Sequence, residues 1–152
     1  MSFSIRPIQA SDKDEWLALW TGPDSYLEFY ESIDKVTDEA TNTTFDRFLD
    51  DAEPVWAAVA VNDEGKLIGF ATYLTHRNTW KVENTLYLND LFVHPKVRLG
   101  GVGRALIEYV YKRADELGCG KTYWNTQFEN HRAQLLYTKV GKKSGFLLYI
   151  RP

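Results

Sequence analysis

Residues 88–104 read LNDLFVHPKVRLGGVGR, and this stretch decides the fold. Its apolar first half, with the residues before it, predicts a strand from Thr85 to Val93 that His94-Pro95 closes. A glycine-rich turn follows, and the apolar residues from Val102 to Leu117 then recur at helical spacing. A strand that runs through glycines into a helix presents unpaired amides at the positive end of the helix. A phosphate group can bind there.

The glycine turn differs from two familiar phosphate-binding loops. The Gly-Lys-Ser/Thr of a P-loop is absent, and a dinucleotide fingerprint requires a small residue where Leu106 stands. A nicotinamide cofactor is therefore not expected. A structural turn needs only one glycine, whereas three glycines lie within residues 100–103, between Arg98 and Arg104. We favour an anion-binding cradle over a structural turn.

The rest of the chain predicts one mixed domain over residues 1–152. The other elements are, in order, a strand from Phe3 to Ile8, helices around Trp16 to Trp20, Asp24 to Ile33 and Phe45 to Leu49, a hairpin of Val55 to Val61 and Leu67 to Leu74, a strand from Lys121 to Phe128, a helix from Asn130 to Val140 and a last strand from Phe146 to Ile150. Antiparallel hairpins beside a parallel crossover pair indicate a mixed α/β class.

The composition indicates where the protein is located in the cell and which partners it lacks. The chain has 152 residues, 44% of them hydrophobic, but neither a signal-peptide core nor an apolar run of the roughly 18 residues that a membrane helix needs. We therefore expect a cytoplasmic protein, with the nucleus as a second location, and no membrane partner. Cys119 is the single cysteine, and the three histidines share no ligand spacing, so we expect neither a disulfide nor a metal.

The charge is unevenly distributed along the chain. Residues 1–54 carry thirteen acidic and four basic side chains, a net −9, whereas the remainder carries eight and fourteen, a net +6. Such asymmetry favours two partners of opposite sign, or it reflects ordinary solvated faces. No nucleic-acid partner is predicted.

Two motifs resemble those of one family. The pattern Arg-x-x-Gly-x-Gly of residues 98–103, after a strand that ends NDLFV at residues 89–93, resembles the GCN5-related N-acetyltransferase (GNAT) family. Residues 130–141, NHRAQLLYTKVG, resemble the family's Asn, small residue, Tyr and Gly on the last helix. The likeness is closest to the small fungal histone and polyamine acetyltransferases, which accept basic proteins, polyamines or amino acids.

The resemblance implies a GNAT fold, in which a mixed central sheet is flanked by helices and a splayed pair of parallel strands binds acetyl-CoA. Acetyl-CoA is then the co-substrate, its pyrophosphate lies on the glycine turn, and no metal is needed. The cofactor-binding residues that the resemblance implies are Leu91, Phe92, Val93, Arg98, Leu99, Gly100, Gly101, Val102, Gly103, Arg104, Asn130 and Ala133.

The resemblance also suggests the groups that move protons. A lysine-like amine has a pKa near 10.4, so it must lose a proton before it attacks a thioester. Asp90 is the best candidate base, directly or through water, with a structural carboxylate as an equal alternative. Asn89 stands where polyamine-specific relatives have Glu. This difference leaves open both the identity of the general base and whether the protein is strictly specific for polyamines. Tyr137 matches the family's proton donor to the departing thiolate, although it also fits the apolar face of its helix.

The expected activity is transfer of acetyl from acetyl-CoA to a primary amine, by direct attack in a ternary complex. Glu28, Tyr30 and Asn89 are candidate acceptor-binding residues, because carboxylates and aromatic faces suit cationic amines. The acceptor is a polyamine, an amino acid or a basic peptide such as a histone tail. The alternative is a non-catalytic acetyl-CoA-binding module, which would have no use for Tyr137. The strand from Phe146 to Ile150 could pair with another subunit and form a homodimer.

Overall fold

The computed structural model describes residues 2–152 and is built on a five-stranded sheet in the order β1-β2-β3-β4-β5. The elements are β1 (Phe3–Pro7), α1 (Lys13–Thr21), α2 (Tyr26–Phe29), α3 (Asp38–Phe48), β2 (Val55–Asn62), β3 (Leu67–His76), β4 (Thr85–Val93), α4 (Val102–Glu116), β5 (Lys121–Tyr123) and α5 (His131–Val140), with single 3-10 turns at Ala10–Asp12 and Ile33–Lys35.

The sheet is antiparallel from β1 to β4 and parallel between β4 and β5. The parallel pairing joins only Thr85–Tyr87 to Lys121–Tyr123, after which β4 continues to Val93 without β5 beside it. The two strands therefore splay apart at the carboxyl end of β4. This arrangement confirms the predicted mixed α/β class with a splayed parallel pair.

A β-bulge interrupts β4 just after its last residue paired with β5. Thr72 of β3 pairs with Asp90, but the next residue, Tyr73, pairs with Leu88, so Asn89 is the extra residue. Bulges re-aim neighbouring side chains and often lie next to active sites. Here the bulge keeps Asp90 on the same face of the sheet as Thr72 and leaves Asn89 exposed.

Helices cover both faces of the sheet. On one face α4 buries Leu106, Ile107 and Val110, which pack with β-strand residues in one hydrophobic cluster. On the other face a second cluster includes Trp16 of α1 and Phe45 of α3. Full burial of each such side chain contributes about 1.5–3 kcal/mol, so both layers hold the sheet in place.

Two elements are shorter than the sequence predicts. The strand predicted to reach Phe128 ends at Tyr123, because β4 diverges and no longer offers backbone hydrogen bonds. The helix predicted over Asp24 to Ile33 is only the single turn α2, which begins where the Ser25 hydroxyl accepts a hydrogen bond from the Glu28 amide at 3.2 Å. Left-handed backbone at Asp24 (φ 56°) and Glu31 (φ 53°) bounds this turn on both sides.

The predicted last strand, Phe146 to Ile150, is wrong. Residues 141–152 contain no helix or strand, and the five apolar side chains of residues 146–150 are 72–88% exposed. The segment has strand-forming residues, but a strand also needs a neighbour with which to pair, and the chain does not bring this segment against β5. In the described residues, no helix is long and apolar enough to cross a membrane.

Candidate active site

A cleft of about 750 Å³ opens at the splay between β4 and β5. Its walls come from α2, the end of β4, the start of α4 and α5. The lining residues are Asp24, Ser25, Tyr26, Glu28, Phe29, Tyr30, Leu91, Phe92, Val93, His94, Pro95, Val97, Leu99, Gly100, Gly101, Val102, Gly103, Asn130, Arg132, Ala133, Leu136 and Tyr137. The cleft therefore unites the glycine turn, the strand that precedes it and the last helix.

The glycine turn leaves the start of α4 open to the cleft. Gly101 is the N-cap of α4 at φ 83°, a conformation that favours glycine, and no side chain caps the helix there. Nothing lies within 4 Å of a Cβ built on Gly100 or Gly101. At Gly103 a Cβ would meet Leu136 of α5 at 3.3 Å, so glycine allows the two helices to approach closely. The first amides of α4 have no intrahelical partners and suit the pyrophosphate of coenzyme A.

The two arginines that flank the turn do not form part of the cleft wall. Arg98 donates from Nη1 to the Pro95 carbonyl oxygen at 3.0 Å. Arg104 donates from Nε to Glu108 Oε1 at 2.9 Å, one turn further along α4. Both arginines are predicted to bind the cofactor, whereas the residues of the turn that line the cleft are its glycines and their neighbours Leu99 and Val102.

Tyr137 lies on the α5 wall in a half-buried position. Its ring is 5.5 Å from the Trp124 ring in an edge-to-face arrangement. Burial raises the pKa of its phenol, the nearby Tyr30 raises it further, and a hydrogen bond with Thr126 acts in the opposite direction. The phenol therefore carries its proton at neutral pH, which is the state that a proton donor requires.

Asn130 and Ala133 begin α5 at the same wall. The Asn130 side-chain oxygen accepts a hydrogen bond from the Ala133 amide at 3.2 Å, so Asn130 is the N-cap of the helix. Both residues also line the cleft, as does Arg132 between them. The sequence prediction omitted Arg132, although it lies within the motif that carries Asn130.

Asp90 lies behind the wall rather than on it. The residue is 9% exposed, and its carboxylate accepts a hydrogen bond from the Thr72 hydroxyl. Two phenols of residues 24–31, here called the α2 segment, lie near Asp90. Burial raises the pKa of Tyr26 and of Tyr30, and the charge of Asp90 raises both pKa values further. Asn89, in the bulge, is exposed and does not line the cleft.

The α2 segment supplies the remaining wall. Glu28 and Tyr30, both predicted to bind the acceptor, line the cleft, and Glu28 Oε2 accepts a hydrogen bond from the Asp24 amide at 2.8 Å. Phe29 projects at the rim, 58% exposed. The sequence prediction omitted Phe29, because aromatic residues near a core helix are more often buried in the core than in a site.

Comparison with known proteins identifies the family. The family model described as the acetyltransferase (GNAT) family matches residues 14–142. The D-amino-acid N-acetyltransferase HPA3 of Saccharomyces cerevisiae is 46% identical over 148 residues, which cover 97% of this chain and 89% of that protein. The peptidyl-lysine N-acetyltransferase YjaB of Escherichia coli is 29% identical over 94% of this chain and 84% of its own.

Solved structures share the fold. The aminoglycoside N-acetyltransferase AAC(6')-Iy, in complex with CoA, superposes with a TM-score of 0.79 at 21% identity, over 99% of this chain and 95% of its own. The ribosomal-protein-alanine N-acetyltransferase of Brucella melitensis biovar Abortus superposes with a TM-score of 0.74 at 19% identity, over 99% of each chain. The chain belongs to the GNAT family of acetyltransferases.

Family membership and the cleft agree on the class of reaction. The protein is an N-acetyltransferase enzyme that acts on amines, and membership of the GNAT family supports acetyl-CoA as its co-substrate. Within residues 2–152 no group of three or more His, Cys, Asp or Glu side chains could hold a metal ion.

Proposed function

We propose that the protein acetylates the amine of a small molecule, an amino acid above all, by direct attack within a ternary complex with acetyl-CoA. The observation that carries this proposal is the cleft itself, which has the uncapped start of α4 at one wall and the phenols of Tyr26 and Tyr30, near the buried carboxylate of Asp90, at another. The 46% identical yeast relative is described as a D-amino-acid N-acetyltransferase, which favours amino acids over the polyamines and histone lysines also considered.

In the proposed reaction, acetyl-CoA supplies an activated acetyl group as a thioester. The first amides of α4 at Gly101–Gly103 hold its phosphates, and Leu91 to Val93 offer backbone groups along the splayed edge of β4. The acceptor nitrogen, once deprotonated to the neutral amine, attacks the thioester carbonyl carbon, and the carbon–sulfur bond breaks. Tyr137 gives its phenolic proton to the departing thiolate, while the surplus proton on the new amide nitrogen passes to solvent. Tyr137 then regains a proton from solvent.

Asp90 is the proposed acceptor of the proton that the ammonium loses. The carboxylate is buried behind the wall, so it acts through an intermediary rather than by direct contact. A carboxylate in a site of low polarity interacts strongly with a nearby cation, which favours the approach of an ammonium group.

We also infer a homodimer formed through residues 146–150. These five consecutive apolar residues are 72–88% exposed, and contiguous exposed apolar surface usually marks an interaction site. The free edge of β5 offers unpaired backbone groups to a strand, and a second copy of the chain would supply one.

A screen of acetyl transfer tests the acceptor class. Purified protein with acetyl-CoA is offered D- and L-amino acids, polyamines and a histone-tail peptide, and the release of the coenzyme A thiol is followed. We expect the highest kcat/KM for an amino acid, with paired enantiomers as matched controls. Transfer to the histone peptide alone would refute the small-molecule class, and no transfer to any acceptor would favour the binding-module alternative.

A further inference from the structure

Asp90 is a buried carboxylate for which the protein provides no cation. Its side chain belongs to none of the five ion pairs found within residues 2–152. Its hydrogen-bond partner is the neutral hydroxyl of Thr72. Buried charges in proteins are normally paired, because an isolated carboxylate loses far more hydration energy than neutral hydrogen bonds restore. The carboxylate therefore suits a cation that arrives from outside.

Tyr26 lines the cleft and packs on the face of the sheet to which this carboxylate belongs. Its ring stacks on Trp20 at 5.2 Å and 7°, and it contacts Phe70 at 5.9 Å and Phe92 at 6.2 Å. Phe70 and Phe92 are cross-strand partners two residues away from the Thr72 and Asp90 pair on the same face of the sheet. The ring is thus held near Asp90: burial raises the pKa of the Tyr26 phenol, and the neighbouring Asp90 carboxylate raises it further. Tyr26 lines the cleft whereas Asp90 does not.

A tyrosine hydroxyl can donate one hydrogen bond and accept others, and donation to a carboxylate makes its oxygen a better acceptor. The ring of Tyr30 lies 4.8 Å from that of Tyr26 and lines the same wall. An ammonium group here would meet the polarised phenol oxygen of Tyr26 and the ring of Tyr30, with a negative charge nearby.

We propose that Tyr26 receives the acceptor as its ammonium ion: the ammonium donates to the phenol oxygen while the phenol donates to Asp90. In this arrangement Tyr26 contacts the substrate, and Asp90 is a positioning residue that acts through it. The inference rests on the proposed function and narrows it to basic aliphatic amines, because an amine that is neutral at pH 7.5 gains nothing from the carboxylate. It also makes Tyr26 the intermediary between Asp90 and the acceptor.

The test compares two acceptors of the same shape and different basicity. Alanine of the preferred hand is an ammonium ion at pH 7.5, whereas fluorine lowers the basicity of 3,3,3-trifluoroalanine so that its amine is neutral. Tyr26→Phe keeps the stacked ring and removes only the hydroxyl. We expect kcat/KM to fall about tenfold to a hundredfold for alanine and less than about threefold for trifluoroalanine, because hydrogen bonds to charged groups contribute about 1.5–3 kcal/mol.

Controls separate the inference from the broader activity. Tyr109→Phe removes a hydroxyl from α4, away from the cleft wall, and should change neither value. Asp90→Asn should reproduce the selective loss for alanine, and unchanged melting temperatures would show that the variants are folded. If Tyr26→Phe lowered kcat/KM equally for the two acceptors, or for neither, the role of Tyr26 would be overturned. The proposed function would be unaffected, because the unmodified protein would still transfer acetyl. Failure of that protein to acetylate either alanine or any other acceptor would overturn the proposed function instead.

Discussion

Replacement of Gly101 by aspartate tests the phosphate-binding turn directly. Gly101 is the N-cap of α4 at φ 83°, and nothing lies within 4 Å of the Cβ that a substitution would add. A new side chain therefore clashes with no neighbour but projects where the pyrophosphate is expected. Asparagine at the same position has nearly the same size and tolerates left-handed backbone as aspartate does. The two variants differ in charge alone.

The expected magnitude follows from Coulomb's law. At a separation of about 5 Å, two unit charges repel by about 0.8 kcal/mol with the dielectric of water and about 3.3 kcal/mol with the effective value of 20 near a protein surface. Gly101→Asp should therefore weaken coenzyme A binding about fourfold to 250-fold more than Gly101→Asn does. The difference should shrink as salt is added, because exposed charges are screened.

Isothermal titration of coenzyme A into each variant, at two salt concentrations, measures this difference. Gly100→Ala, at a neighbouring glycine that is equally uncrowded but not left-handed, controls for substitution in the turn. Equal affinities of the Asp and Asn variants would refute the reasoning, since the phosphates would then lie away from the start of α4.

Three further predictions concern the proton donor, the fold and the assembly. Tyr137→Phe should lower kcat at least about tenfold and leave the affinity for coenzyme A unchanged. Because burial raises the pKa of Tyr137, deprotonation of its phenol should cause no loss of kcat below about pH 10. Unaltered turnover of the variant would contradict the role of Tyr137 as proton donor. Arg6 binds Asp12 through two hydrogen bonds of 2.7 and 2.9 Å and holds the pKa of Asp12 below its usual value. This stabilisation is present above about pH 4 and is lost as the pH falls through the lowered pKa of Asp12. The free energy of unfolding in urea should therefore decline less in acid for Asp12→Asn than for the unmodified protein. Identical declines of the two proteins would be inconsistent with this role of Asp12. Removal of residues 146–152 should yield monomers in analytical ultracentrifugation, and a monomeric full-length protein would exclude the proposed dimer.

Local sequence patterns predicted much of this fold. The helical spacing that buries Leu106 and Val110 in α4, and the glycines before that helix, are features of a few neighbouring residues, and the structure confirms both. The helix predicted from Asn130 to Val140 is likewise present as α5. Such features can be read from the sequence because helical periodicity and capping depend on residues within one or two turns.

The tertiary structure decided where strands pair and which side chains reach the cleft. Strand propensity continues past Tyr123 and reappears at residues 146–150, but neither segment has a neighbour there, because hydrogen bonding in a sheet depends on residues far apart in the chain. The sequence also singled out Asp90 without revealing that Tyr26 packs against β4 close to it. That contact depends on the packing of α2 against β4, which brings together residues more than sixty positions apart in the chain, and no local pattern encodes it.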